Sequence, residues 1–279
     1  MTRNLLPALL SLCLIPALVG AAITRNVEKS FPASTGDEIV IDISGGNIEV
    51  EIVPGSDQAE ITLHQRFKTN DESEIAEVLE QFEITFEKRG DNIVLAVKPE
   101  RSGGFFSRWI SSSDVKFSAT LNCPADVDLS LDTSGGRISV AGFVEGNLHA
   151  DTSGGSIVVT GGSGTFNLDT SGGSITVDEI HGSVRADTSG GSIAIDYVGP
   201  EARKVNADTS GGSIRIGLDA TGRYDLVADT SGGRVSVSDL EIAAAKISRT
   251  HVRGEINGGG ASVRADTSGG SIYITATTP

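Results

Sequence analysis

Seven copies of Asp-Thr-Ser-Gly-Gly supply carboxylates, hydroxyls and glycines, which are residue types found in three kinds of active site. Aspartic proteases use Asp-Thr-Gly twice, as one facing pair of carboxylates, whereas here Ser follows Thr and the motif recurs seven times. Trypsin-like serine proteases place Asp next to Ser and need a separate His and Asp. Phosphate-binding glycine loops lead into a helix, whereas a strand-like pattern follows this motif. The motif therefore indicates a repeated structural element, and the sequence predicts no catalytic residue.

The motif copies recur at a nearly constant interval. Their aspartates are Asp132, Asp151, Asp169, Asp187, Asp208, Asp229 and Asp266, with spacings of 19, 18, 18, 21, 21 and 37 residues. A fixed period of this size is typical of a repeat architecture. Because the last interval is close to two periods, we expect one coil around Ser248 that has lost the motif and kept its length.

Apolar residues alternate with polar ones on both sides of each motif. The positions before it are Leu129, Leu148, Phe166, Val184, Val205, Leu226 and Val263, and then Leu131, Ala150, Leu168, Ala186, Ala207, Ala228 and Ala265. The positions after it are Ile138, Ile157, Ile175, Ile193, Ile214, Val235 and Ile272, and then Val140, Val159, Val177, Ile195, Ile216, Val237 and Ile274. A period of two predicts strands with one buried face.

Each repeat is therefore predicted to be a strand, a turn at the motif, a second strand and a variable connection. One such unit is too small to bury its apolar face, whereas stacked units bury it continuously. We predict an all-β chain, a parallel β-solenoid with coils of 18–21 residues. Right-handed coiling is expected, because parallel crossover connections are nearly always right-handed.

Each letter of the motif has a structural interpretation. The Asp is expected to cap the turn by accepting backbone N–H bonds, with Thr and Ser in lesser roles or bonding along the stack. The glycines are expected to adopt positive φ and to let successive backbones approach.

The stacked aspartates also raise the hypothesis of a bound cation. Carboxylates about 5 Å apart repel by about 1 kcal/mol in a water-like dielectric, and by several in a lower one. Turn hydrogen bonds would offset this repulsion, and so would Ca²⁺, which prefers oxygen ligands. The candidate ligands are Asp151, Asp169, Asp187, Asp208 and Asp229. If Ca²⁺ stabilises the fold, a chelator should lower the melting temperature by several degrees. No other cofactor is predicted.

Residues 23–128 are predicted to form a first coil and an N-terminal cap, ahead of a repeat region over 129–279. Ile-Asp-Ile-Ser-Gly-Gly-Asn-Ile-Glu-Val at 41–50 matches the repeat, with Ile43 in place of Thr. Residues 71–82 are predicted to form a helix, because their apolar residues fall on one helical face. Residues 83–98 read as a hairpin, whose turn contains the tripeptide Arg-Gly-Asp that integrins recognise. We interpret that tripeptide as turn chemistry.

The first 22 residues have the pattern of a secretory signal peptide, with a basic start, an apolar run and small residues before the cleavage site. A retained anchor and a lipoprotein site at Cys13 are the alternatives. Cleavage would leave Cys123 without a disulfide partner. No later apolar span is evident, so we expect no transmembrane segment in the mature chain. The predicted location is the periplasm, the cell envelope or the exterior.

These features resemble those of a bacterial family of putative adhesins of unknown function that form β-helices. The resemblance rests on the signal-like start, the early Ile-Asp-Ile-Ser-Gly-Gly coil, the helix-bearing insertion and Pro-Ala-Asp-Val-Asp-Leu at 124–129, which leads into the repeats. It covers nearly the whole mature chain. It implies a β-helix and carries over no catalytic residue.

One aromatic segment stands out in a chain with 5% aromatic residues. Residues 101–110 contain Phe105, Phe106 and Trp109, which form a candidate interaction loop or the hydrophobic plug of the cap. Replacing Phe106 and Trp109 with Ser would separate the two, because only a plug would be strongly destabilised.

The four histidines predict no metal cluster, because they are scattered along the chain at His64, His149, His181 and His251.

Two classes of function remain open. The first is a non-enzymatic envelope or secreted protein whose rigid surface binds an envelope component, a polysaccharide or a protein. The second is a β-helix enzyme acting on acidic polysaccharide, which would need a catalytic cluster on one outer face. The outward positions contain no such cluster, which favours the first class. The net charge of −15 argues against nucleic acid and favours cationic partners.

Overall fold

The computed structural model describes residues 23–100 and 114–277. Over these ranges the chain is all-β, with one helix. The elements are β1 (Thr24–Pro32), β2 (Glu38–Ile43), β3 (Ile48–Ile52), β4 (Gln58–Phe67), α1 (Glu72–Leu79), β5 (Phe82–Arg89), β6 (Asn92–Pro99), β7 (Val115–Cys123), β8 (Asp128–Thr133), β9 (Ile138–Val144), β10 (Leu148–Thr152), β11 (Ile157–Gly162), β12 (Thr165–Thr170), β13 (Ile175–Ile180), β14 (Ser183–Thr188), β15 (Ile193–Val198), β16 (Lys204–Thr209), β17 (Ile214–Asp219), β18 (Tyr224–Thr230), β19 (Val235–Ser238), β20 (Ile242–Ile247), β21 (His251–Ile256), β22 (Ala261–Thr267) and β23 (Ile272–Thr277).

The strands form two large, mostly parallel sheets. Sheet I has twelve strands in the order β20-β21-β18-β22-β16-β14-β12-β10-β8-β2-β6-β5. Sheet II has eleven strands in the order β1-β4-β7-β3-β9-β11-β13-β15-β17-β23-β19. The strand before each motif lies in sheet I and the strand after it lies in sheet II. The chain therefore crosses from one sheet to the other at every copy of the motif.

The core lies between the two sheets. It is filled by the apolar residues that alternate with polar ones along each strand. In one coil, Val184 and Ala186 of β14 and Ile193 and Ile195 of β15 are buried. The same positions of successive coils are register partners, as in the pairing of Val184 with Phe166 and with Val205. Full burial of a large aliphatic side chain contributes about 1.5–3 kcal/mol. The predicted inward ladders are confirmed, because almost all of their residues are buried.

The N-terminal part extends both sheets. The early motif copy is in register with the repeats, because β2 pairs with β8 and β3 pairs with β9. Beyond them, β6 and β5 continue sheet I, and β7, β4 and β1 continue sheet II. Helix α1 begins where the Asp71 carboxylate accepts hydrogen bonds from the backbone of Ser73 and Glu74. Its apolar residues Ile75 and Val78 are buried in the core.

The C-terminal part departs from the predicted order of coils. The segment around Ser248 is an antiparallel hairpin of β20 and β21, and it pairs with β18. The expected extra coil at this position is therefore wrong. The last coil, β22 and β23, instead lies between the two preceding coils, because β22 pairs with both β16 and β18. The hairpin lacks the motif and pairs with β18 on the side away from β22, so it ends sheet I.

Candidate functional site: the aspartate column

The motif aspartates form one column on the outer face of sheet I. Each Asp and Thr belongs to the end of a strand, and Ser-Gly-Gly makes the turn. The Thr side chain faces the core, so the Asp side chain faces outward. We call this set the aspartate column. In spatial order it contains Asp42, Asp132, Asp151, Asp169, Asp187, Asp208, Asp266 and Asp229, all register partners of their neighbours.

The threonine, rather than the aspartate, satisfies the turn. Thr188 Oγ1 donates to the carbonyl of Gly173 at 2.8 Å and accepts from the backbone N–H of Gly191 at 3.3 Å. The donated bond to the neighbouring coil recurs for Thr133, Thr152, Thr170, Thr209, Thr230 and Thr267. None of the described motif turns donates a backbone N–H to its own aspartate. The expected Asp cap is therefore wrong, because the aspartate points to solvent while the threonine points at the backbone.

The second glycine of each motif is required by close contact between coils. A Cβ at Gly191 would lie 1.9 Å from the carbonyl oxygen of Gly173, whereas a Cβ at Gly190 would meet nothing nearer than 3.5 Å. The expectation of positive φ is wrong for the glycines of the seven motif copies. Among the motif glycines, those with positive φ are Gly45 at 139° and Gly46 at 96°, both in the early copy. The glycines thus serve the stacking of backbones rather than an unusual turn.

Burial and neighbouring like charges act against ionisation within the column. The side chain of Asp187 is 23% exposed. Burial raises the pKa of Asp187, and the adjacent Asp169 and Asp208 raise it further, while Arg185 lowers it. Arg185 Nε lies 2.9 Å from Asp187 Oδ2, yet that buried oxygen accepts no hydrogen bond. The raised pKa means that the folded state holds its proton more tightly than the unfolded chain does.

The pKa of Asp132 is raised for the same reasons. Burial is the largest cause, and the adjacent Asp42 and Asp151 add to it, whereas His149 and Lys98 act to lower the pKa of Asp132. The electrostatic cost is therefore a property of the column, and it occurs in more than one coil.

Asp187→Asn is expected to stabilise the protein at pH 7. Because the pKa is raised on folding, the ionised group destabilises the fold, and this cost is absent at a pH below the unfolded pKa near 3.8. We expect a gain of about 1 kcal/mol at pH 7, from repulsion across about 5 Å. The gain should vanish at pH 3. Thermal unfolding at both pH values checks this, with the exposed Asp178→Asn as a control that changes the charge equally. An unchanged or lower stability of Asp187→Asn at pH 7 would contradict it.

Cations compensate part of the column. Lys98 pairs with Asp42 at 2.9 Å, and Arg264 pairs with Asp266 at 3.2 Å. At the other end, Asp229 is engaged differently, because His251 Nδ1 lies 2.5 Å from Asp229 Oδ1 as a hydrogen-bond partner. In the described ranges Asp151, Asp169 and Asp208 have no ion pair, and they line a shallow groove of about 290 Å³ together with Asp187 and motif Thr and Ser side chains. This groove is the least neutralised part of the outer face.

The geometry of the aspartate column does not provide an evident site for a metal ion. Within 23–100 and 114–277, no group of three or more His, Cys, Asp or Glu side chains is arranged to hold one. Calcium at Asp151, Asp169, Asp187, Asp208 and Asp229 stays a prediction, because carboxylates in a single line supply few ligands at any one point. The chelator experiment remains its test, and an unchanged melting temperature would reject it.

A second polar cluster lies at the far end of the sheet II strands. His181 Nε2 lies 2.5 Å from Glu179 and its Nδ1 lies 3.2 Å from Glu201. The hydrogen bond to Glu179 raises the pKa of His181, with a further rise from Glu201, against the effect of burial. Nearby, the Tyr197 hydroxyl donates to Asp219 at 2.7 Å. Sequence reasoning missed this cluster because its residues come from the last residues of β13, β15 and β17 and from the connections after β13 and β15, where no motif marks them.

Several predicted features lie outside the described residues. These are the signal-like segment 1–22 and the candidate interaction loop with Phe105, Phe106 and Trp109. Within the described part of the chain, no helix has the length and apolar content needed to span a bilayer.

Cys123 is buried, and burial raises the pKa of its thiol to about 12. The thiol is therefore not a reactive site.

The geometry defines an all-β repeat protein with one acidic outer face. No protein-family model matches the chain. No curated protein matches it either. A solved structure of a putative adhesin from Bacteroides fragilis is similar, with 10% identity, coverage of 91% of this chain and 97% of that chain, and a TM-score of 0.41. A putative lipid binding protein from Parabacteroides distasonis has 15% identity, the same two coverages and a TM-score of 0.39. At these identities and TM-scores, neither similarity shows what this chain does.

Proposed function

We propose that the chain is a β-solenoid that acts outside the cytoplasm as a non-enzymatic interaction module, and that its aspartate column binds an extended cationic ligand. The observation that carries this proposal is the register of eight outward aspartates on one face. Among the described residues, Asp132, Asp151, Asp169 and Asp208 lack an ion-pair partner, and the last three line one groove. The ligand class is a basic protein segment, because a chain of amines or guanidinium groups matches carboxylates about 5 Å apart.

The solenoid proposal is supported by the path of the chain. Each repeat contributes one strand to sheet I and one to sheet II, and parallel partners keep the same motif register from coil to coil. The threonine bonds join each coil to its neighbour at the corner. Such coupling keeps the spacing of the outward side chains fixed. Binding of an extended ligand therefore costs little free energy for ordering the protein.

The enzymatic alternative is disfavoured by charge and by repetition. A uronate polymer is anionic and would be repelled by the aspartate column. The two outward arginines beside the column, Arg185 and Arg264, are engaged with Asp187 and Asp266 of their own coils. The motif residues themselves hold the fold together, as Thr188 does through its two backbone bonds. Incubation with uronate polymers should therefore release no unsaturated product.

The export proposal is supported by the pattern of residues 1–22 alone. Mass spectrometry of the protein recovered from its producing cell would test it, because cleavage leaves a mature N-terminus at residue 22 or 23. A full-length chain recovered from the cytoplasm would contradict it.

The binding proposal predicts the behaviour of a fluorescent deca-lysine peptide. Wild-type protein should bind it, and a triple variant with Asp151, Asp169 and Asp208 replaced by Asn should bind at least tenfold more weakly. The affinity should also fall as salt screens the charges. Titration by fluorescence anisotropy checks both expectations.

A matched control separates the column from the net charge. Asp57, Asp178 and Asp196 are exposed and lie outside the column. Their replacement by Asn changes the net charge by the same amount, so peptide affinity should stay within twofold of wild type. Equal weakening of both triple variants would show that the peptide senses only the overall charge, and the proposal would be wrong.

A further inference from the structure

Sheet I ends, over the residues that the structure describes, in a strand that pairs with no further strand at either end. Its terminal strands are β5 and β20. On β5, Ile84 is 37% exposed, and on β20, Ile247 is 65% exposed. Their register partners Val97 and Val252 are buried, so both isoleucines belong to the face of sheet I that covers the core. They are the last rung of the apolar ladder at each end, and each leaves more than a third of its surface exposed.

The directions of the two terminal strands are complementary. β6 is parallel to β2 and therefore runs with the coils, whereas β5 is antiparallel to β6. At the other end, β21 is antiparallel to β18 and β20 is antiparallel to β21, so β20 runs with the coils. If two copies stack in the same direction, β20 of one copy meets β5 of the next in antiparallel orientation. Antiparallel pairs form the more stable ladder.

The charges at the two ends also match in this orientation. The basic end of the β20–β21 hairpin carries exposed Lys246, Arg249 and Arg253, and its other end carries exposed Glu241 and Glu255. The strand that would face β20 is β5 of the next copy. The N-terminal end of β5 comes directly after helix α1, which carries exposed acidic residues. The first residues of β5 include exposed Glu83, and β5 ends at exposed Arg89.

Antiparallel pairing places opposite charges next to each other at both ends of the junction. The C-terminal end of β20, with Lys246, faces the N-terminal end of β5, with Glu83. The N-terminal end of β20, after Glu241, faces the C-terminal end of β5, with Arg89. Parallel pairing would instead place like charges together. Opposite charges across a strand pair are favourable and like charges are unfavourable.

We propose that copies of this chain associate head to tail, with β20 of one copy pairing antiparallel to β5 of the next and Ile247 packing against Ile84. The contact joins two different surfaces, so it is heterologous and repeats as long as copies are added. Sheet I then continues from one molecule to the next. The inference does not use the aspartate column, so it holds or fails separately from the proposed function.

Sedimentation velocity over a range of protein concentrations tests the association. Wild type should form species that grow with concentration. Ile247→Lys and Ile84→Lys each block one end, and both sites are exposed, so circular dichroism should show that both variants fold. Each variant alone should stay monomeric, whereas an equimolar mixture should form a 1:1 dimer and nothing larger. Wild type that stays monomeric, or dimers of either variant alone, would overturn the proposal.

Charge exchange tests the polarity of the contact. Lys246→Glu or Glu83→Lys alone should weaken association at least tenfold, and the double variant should recover most of it. Lys204→Glu, an exposed change on β16 in the middle of sheet I, is the matched control and should leave association unchanged. Failure of the double variant to recover, or an equal effect of the control, would refute the pairing. So would a wild type that stays monomeric and binds anionic vesicles through Lys246.

Discussion

Gly191→Ala is expected to destabilise the protein more than any other substitution considered for the turn. The new Cβ would lie 1.9 Å from the carbonyl oxygen of Gly173 and 2.7 Å from the backbone nitrogen of Ser174. These are backbone atoms of the preceding coil, so they can yield only if the two coils move apart. Such a movement breaks strand pairing and core contacts on both sheets. We expect a loss of more than about 3 kcal/mol, which lowers the melting temperature by about 6–12 °C.

The neighbouring glycine provides the control for Gly191→Ala. A Cβ at Gly190 has its nearest contact at 3.5 Å, which is an ordinary van der Waals distance, and its φ lies outside the left-handed region. Gly190→Ala should therefore change stability by less than about 1 kcal/mol. Thermal and urea unfolding of both variants measure the difference. Similar stabilities for the two variants would show that the coils are less closely apposed than in this structure.

The second large effect is expected for Thr188→Val, which keeps the shape of the side chain and removes its hydroxyl. The carbonyl of Gly173 loses its donor and the N–H of Gly191 loses its acceptor, at a residue that is 6% exposed. A buried polar group left without a partner costs about 1–3 kcal/mol, so the two together should cost about 2–5 kcal/mol. Urea unfolding monitored by circular dichroism checks this value.

Two controls separate the hydroxyl from the methyl group. Thr188→Ser keeps the hydroxyl and loses one methyl group, so we expect a cost of about 1 kcal/mol. Thr176→Val changes a half-exposed, outward threonine of β13 in the same way and should be nearly neutral. If Thr188→Val is as stable as wild type, the column of inward threonines is not what joins the coils.

Much of the strand structure follows from local sequence. Alternation of Val184, Arg185 and Ala186 sets which side chains enter the core, and the fixed interval between motifs sets the register of parallel neighbours. Both are local properties, because a strand has a period of two wherever it lies. The all-β class is confirmed for this reason. The outward position of the aspartate column follows from the same alternation.

The division of roles within the motif was less predictable. Asp and Thr are both good turn-capping residues, so the sequence favoured the stronger acceptor, Asp. Whether a side chain faces the backbone of the next coil depends on which side of the sheet it occupies at the corner. In the structure the strand continues through Thr188, which places its hydroxyl inside, against Gly173, and leaves Asp187 outside. The charge cost in the column follows from that arrangement.

The sequence by itself determined the strands, their buried faces and the register of the coils, because these depend on alternation and on a constant repeat length. Only the tertiary structure decided the order of the coils at the C-terminal end. The motif copies at Asp229 and Asp266 have the same five residues, so the sequence alone does not show which of the two coils pairs with β16. β22 lies between β16 and β18, and the hairpin of β20 and β21 ends the sheet beyond β18. This order is decided by contacts between segments far apart in the sequence, and no local pattern records such contacts.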